Sequence, residues 1–126
     1  MFCKIDPNLG IFTITRITSN HSNILGVSFL DASESEIVPQ LVPWNFKKNI
    51  PFEDLNCISE TTEKEILYQV STGLTKMNEN LNTTYHLSKI YYQPLENTSN
   101  MIYRVLILRL IEHFFETKEL NSFTKY

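Results

Sequence analysis

The stretch Asn100–Phe115 reads Asn-Met-Ile-Tyr-Arg-Val-Leu-Ile-Leu-Arg-Leu-Ile-Glu-His-Phe-Phe, and wound as a helix it is apolar on nearly every side. Such a helix has little face to offer water. Other structure must wrap it, so the rest of the chain is expected to be built around it. A chain of 126 residues is long enough for one domain with a real core. Residues 1–126 are therefore read as a single domain whose last few residues fray. The same run is interrupted by Arg104 and Arg109 and falls well short of the roughly 20 apolar residues that cross a bilayer. No membrane partner is expected.

The segments before it set the fold class. Phe2–Ile5 is a short strand, Asp6-Pro-Asn-Leu-Gly10 a turn, and Ile11–Thr18 a β-branched alternating strand. Phe12, Ile14 and Arg16 fall on one face of that strand, with Ile11, Thr13, Thr15 and Ile17 on the other. A polar loop, Ser19–Asn23, leads to a third strand over Ile24–Leu30, which completes an antiparallel meander. Three prolines, Pro39, Pro43 and Pro51, then blur the pattern. Ile37-Val38 and Leu41-Val42 suit an edge strand at most, because proline cannot donate to a ladder. Phe52–Ile58 reads as extended.

Thr62–Leu81 is the clearest amphipathic helix. Thr62-Glu-Lys-Glu65 has the capping-box form, and Ile66, Leu67, Val70, Leu74, Met77 and Leu81 recur at helical spacing. Gly73 interrupts that run at a cost of about 1 kcal/mol and would let another element cross closely. Asn78–Asn82 is a stop signal. Thr83–Gln93 alternates as a further strand, with Tyr85, Leu87, Lys89 and Tyr91 opposed to His86, Ser88, Ile90 and Tyr92. Asn97, Thr98 or Ser99 would cap the last helix, which runs to about Lys118. The expected fold is α+β: an antiparallel sheet from the N-terminal meander plus a later strand, packed against two α-helices.

Motifs that carry chemistry do not stand out. The three histidines, His21, His86 and His113, are far apart, and His113 with Glu116 reads as a surface pair. The sequence lacks Cys-x-x-Cys, Gly-x-Ser-x-Gly and, with only Gly10, Gly26 and Gly73, any phosphate-cradling loop. No catalytic residue, metal or cofactor is assigned, and the chain is not expected to be an enzyme. Cys3 and Cys57 are expected as buried free thiols. The N-terminus has no basic region followed by an apolar core, so the cytoplasm is the expected compartment.

Charge supplies the functional lead. The formal net charge is −3, which weighs against nucleic acid as a partner. Between Asp31 and Glu65 eight acidic residues face three basic ones, leaving −5, whereas the remainder holds eight basic and six acidic residues. An acidic patch of this kind steers a basic partner. Bacterial immunity proteins and antitoxins are commonly short, acidic, single-domain and free of catalytic motifs, and this chain is similar to that class in those bulk properties. The leading expectation is a small protein-binding module that neutralises a toxin by occluding its active site. The expected contact residues are Asp31, Glu34, Glu36, Glu53 and Asp54, with Trp44 as an aromatic anchor. Two other readings stand beside it. One is a ligand-binding or catalytic α+β domain with Arg104, Arg109 and His113 facing a pocket near the last helix. The other is a homodimer or scaffold subunit in which a twin covers Met101–Phe115.

Overall fold

The computed structural model describes residues 1–17, 22–31, 37–54, 56, 58–94 and 100–123. Strands β1 (Phe2–Asp6), β2 (Ile11–Ile17) and β3 (Ser22–Phe29) form the antiparallel meander. They are followed by β4 (Gln40–Asn45), β5 (Ile50–Pro51), helix α1 (Glu60–Leu81), β6 (Leu87–Tyr92), helix α2 (Ile102–Glu116) and a 3-10 turn (Asn121–Phe123). The sheet order is β1-β2-β3-β6-β4-β5, and every pairing is antiparallel except β4 with β6. The fold is α+β, as expected.

One face of the sheet carries the core. Phe12 and Ile14 of β2, Leu25 and Val27 of β3, and Ile90 and Tyr92 of β6 pack there against α2. The buried stripe of α2 is Tyr103, Leu106, Ile107, Leu110, Ile111 and Phe114, the spacing that one helix face demands. Phe12 meets the Phe114 ring edge-on at 5.0 Å. The buried stripe of α2 is covered by its own chain, by the sheet and by α1.

Gly73 is where the two helices cross. A Cβ there would overlap Ile107 Cγ2 and come within 3.0 Å of the Arg104 carbonyl oxygen. Gly73 is therefore present because backbone must approach backbone.

Several local expectations are corrected. The N-cap of α1 is Ser59, whose hydroxyl accepts from the Thr62 amide at 3.2 Å, so the helix begins before the Thr62 capping box. The cap of α2 is Met101, without a side-chain hydrogen bond, and the helix stops at Glu116. Asn97, Thr98 and Ser99 lie outside the described residues. Ile37-Val38 stays out of the sheet, and none of the described residues between Phe52 and Ile58 is in a strand.

β4 is an interior strand, with Pro43 in its middle. The Pro43 carbonyl accepts from Phe52 at 3.1 Å on the outer side. A residue's N–H and C=O point the same way along a strand, so the missing donor also faces outward, where β5 has only two residues.

The alternation over Thr83–Gln93 also breaks. Only Leu87–Tyr92 is strand, and the β3–β6 register shifts between Ser28 and Phe29. Ser28 opposes Lys89 while Phe29 opposes Leu87, which leaves Ser88 as the extra residue of a bulge. Tyr85 and Leu87 before the bulge, and Ile90 and Tyr92 after it, can then all join the core.

Candidate functional site

The other face of the sheet carries neither α1 nor α2, and the chain covers part of it with the β4–β5 hairpin. Trp44, Val42 and Phe46 pack on Ile11 and Tyr91 there, forming a second, smaller core. Trp44 is only 7 % exposed, and its ring meets Tyr91 at 5.2 Å. Gly26 makes this possible: a Cβ in its place would stand 3.1 Å from both Ile11 and Tyr91 and 3.3 Å from Phe46. Trp44 is thus buried among the chain's own residues, on a strand rather than in a loop.

The hairpin tip reaches the β1–β2 turn. Asn45 shapes the tip by accepting from the Lys47 and Lys48 amides, both at 3.1 Å. Asn49 then takes the left-handed conformation (φ 59°) that asparagine tolerates. Its Oδ1 accepts from Trp44 Nε1 at 3.3 Å, and its Nδ2 donates to Asp6 Oδ2 at 2.7 Å. The other Asp6 oxygen accepts from the Asn8 and Leu9 amides, at 3.0 and 3.1 Å. The Asn49 hydrogen bond first, then the Leu9 amide, hold the Asp6 carboxyl below its ordinary range.

Between hairpin and meander lies a cavity of 280 Å³, whose lining includes Lys4, Asp6, Ile11, Thr13, Phe46 and Asn49. Lys4 and Thr13 are directly opposed in the β1–β2 register and so share this face. A second hollow of 170 Å³ lies beside α1, bordered by Leu74, Asn78, Tyr85 and His86 among others.

The described acidic residues of the sequence-derived site follow different strands. Asp31 is exposed just beyond β3, next to Leu30, whose amide donates to the His86 carbonyl at 2.8 Å. Glu53 and Asp54 are exposed beyond β5, and in sheet order β6 and β4 stand between them and β3. Glu34, Glu36 and Cys57 lie outside the described residues. Among the described residues no three His, Cys, Asp or Glu side chains stand close enough to hold a metal ion. Cys3 is half-buried, and that burial pushes its thiol up, away from the reactive thiolate.

Arg104, Arg109 and His113 line neither of these two hollows. Arg104 Nε donates to buried Gln69 at 2.9 Å, Arg109 pairs with Glu112 at 3.6 Å on the surface, and His113 is exposed. No described helix is long and apolar enough to cross a membrane.

A feature absent from the sequence reading is a second apolar stripe on α2. Met101 and Val105, with half-buried Leu108, recur at helical spacing and reach the surface, Met101 61 % and Val105 39 % exposed. Beside them Tyr68 of α1, 52 % exposed, carries the Arg104 guanidinium 6.0 Å above its ring. The signal was present: a helix apolar all round, of which the core uses one side. No family model, curated protein or solved structure matches this chain.

Proposed function

We propose that this chain is a small protein-binding module that neutralises a partner by occluding its active site, in the manner of a bacterial immunity protein or antitoxin acting in the cytoplasm. The observation that supports the reading is the outward stripe of α2 with the Tyr68–Arg104 pair. Tyrosine, arginine and methionine are the residue types enriched where protein interfaces have their energetic centre. The Gln69 carboxamide holds Arg104 over the Tyr68 ring before any partner arrives, which lowers the ordering cost of binding. Tyr68 and Met101 take over the anchoring part assigned to Trp44 in the sequence, because Trp44 is buried. Asp31, Glu34, Glu36, Glu53 and Asp54 then act at longer range, steering a basic partner toward the chain.

The test is capture of partners by tagged protein from native-cell lysate at low and high salt. The expected result is one basic protein at stoichiometric level, lost with the Met101→Ser/Val105→Ser double variant. Asp31→Lys/Glu53→Lys/Asp54→Lys should weaken capture most at low salt. Recovery of nothing but the chain itself would sink the reading and leave self-association to be measured. Equal capture by both variants would move the contact away from these residues.

A further inference from the structure

The cavity between the β4–β5 hairpin and the meander presents an ordered set of chemistries. Its floor is apolar, formed by Ile11 and Phe46, and those side chains are held in place by packing in the smaller core. One wall offers two donors side by side, the Lys4 ammonium and the Thr13 hydroxyl, on directly opposed strand positions. Thr13 is only 5 % exposed, a buried polar residue in this wall. Asp6, two residues along β1 from Lys4 and on the same strand face, adds an anionic rim held by Asn49 and by the amides of its own turn. A volume of 280 Å³ lies just under the range of about 300–1,000 Å³ that drug-sized ligands occupy, so the occupant is smaller than those.

We propose that this cavity binds a small zwitterion of amino-acid size. Its carboxylate is held by Lys4 and Thr13, its ammonium lies beside Asp6, and its apolar side chain rests on Ile11 and Phe46. The charge pattern selects the ligand class. A phosphate or other multivalent anion would meet Lys4 but be repelled by Asp6. A neutral apolar molecule would use the Ile11 and Phe46 floor but neither charge. The site is separate from the helical surface assigned to the protein partner, so either reading can fail without the other.

The test is a titration of the intact, isotope-labelled protein with each of the twenty amino acids, followed by amide chemical shifts. At least one apolar amino acid, with leucine as the reference probe, is expected to give saturable shifts centred on Lys4, Thr13, Phe46 and Asn49. 4-Methylpentanoate, which keeps leucine's tail and carboxylate but has no ammonium, should bind at least about tenfold more weakly. That is the change expected when a charged contact is lost. Lys4→Met and the near-isosteric Thr13→Val should each weaken binding by a similar factor while circular dichroism and Tm show both variants folded. Absence of saturable shifts with all twenty amino acids would overturn the proposal. Binding that both variants leave unchanged, or that 4-methylpentanoate matches, would overturn it equally.

Discussion

Asn78 holds the backbone of Tyr85 as a neighbouring strand residue would. Its Nδ2 donates to the Tyr85 carbonyl and its Oδ1 accepts from the Tyr85 amide, both at 3.0 Å. The same oxygen accepts from the Thr83 hydroxyl at 3.0 Å, and the Asn78 carbonyl accepts from the Thr83 amide at 2.9 Å. One side chain thereby ends α1 and aims the chain into β6. Asn78→Ala removes these two hydrogen bonds from a residue that is fully buried, and losing each costs about 1–3 kcal/mol. A loss of roughly 2–4 kcal/mol in denaturant unfolding is expected. A loss below about 0.5 kcal/mol would mean that water replaces the carboxamide.

Gly73→Ala separates propensity from packing. In an exposed helix that change would stabilise by about 1 kcal/mol. Here the new methyl overlaps Ile107 Cγ2, an atom on a β-branched carbon with little freedom to move, and crowds the Arg104 carbonyl. Overpacking costs about 1–3 kcal/mol and wins. A lower Tm for Gly73→Ala is the expected outcome, and a higher one would mean that α1 and α2 cross less closely than described.

Asp6 predicts an acid-sensitive hairpin. Its carboxyl lies below the ordinary value of 3.8, chiefly through the Asn49 hydrogen bond. A depressed carboxyl contributes stability that is present above about pH 4 and is lost as pH falls through the lowered value. The Asn49 side-chain amide signals should therefore move together below pH 4 and stay flat from pH 5 to 8. In Asp6→Asn that acid transition should vanish. An unchanged transition would assign it to another group.

Tyr92 predicts the alkaline side. Burial first, and then the carboxylate of Glu63, which accepts the Tyr92 hydroxyl proton in a 2.5 Å hydrogen bond, push the phenol well above its ordinary value of 10. The folded state keeps that proton where the unfolded chain would release it. The contribution is full below about pH 10 and declines above it. Absorbance titration should show one fewer tyrosine ionising only with unfolding in Tyr92→Phe than in the wild type. Tyr92→Phe itself should cost about 1.5–3 kcal/mol at neutral pH, the range for a hydrogen bond to a charged group.

The elements that could be read from sequence are those whose pattern is local. β2 shows its two faces in Ile11–Ile17, and α1 and α2 show their stripes, because each buried side chain recurs at the period of its own backbone. The expectation failed where partners distant in sequence decide the outcome. The parallel contact of β4 with β6 is not written in Gln40–Asn45. The alternation of Thr83–Gln93 hides a bulge because serine at position 88 looks like any outward residue. The cap of α1 is ambiguous in sequence because Ser59 and Thr62 are both N-cap residue types and only Thr62 has the capping-box Glu, while the chain's path into Glu60 selects Ser59. Trp44 looked available for a partner because its local context, Pro43-Trp-Asn-Phe46, gives no hint of Ile11 or Tyr91. The cavity depends on Asp6 meeting Asn49, 43 positions later, and a spacing of that length has no local signature.

Trp44 is the chain's only tryptophan, and it sits inside the hairpin that crosses the outer face of the sheet, with its indole N–H tied to Asn49. The protein therefore carries an intrinsic fluorophore where the hairpin packs on the meander. Loosening of that arm should red-shift and quench a single emission band, with no label added. Its rate of opening can then be followed optically while the helical layer remains folded.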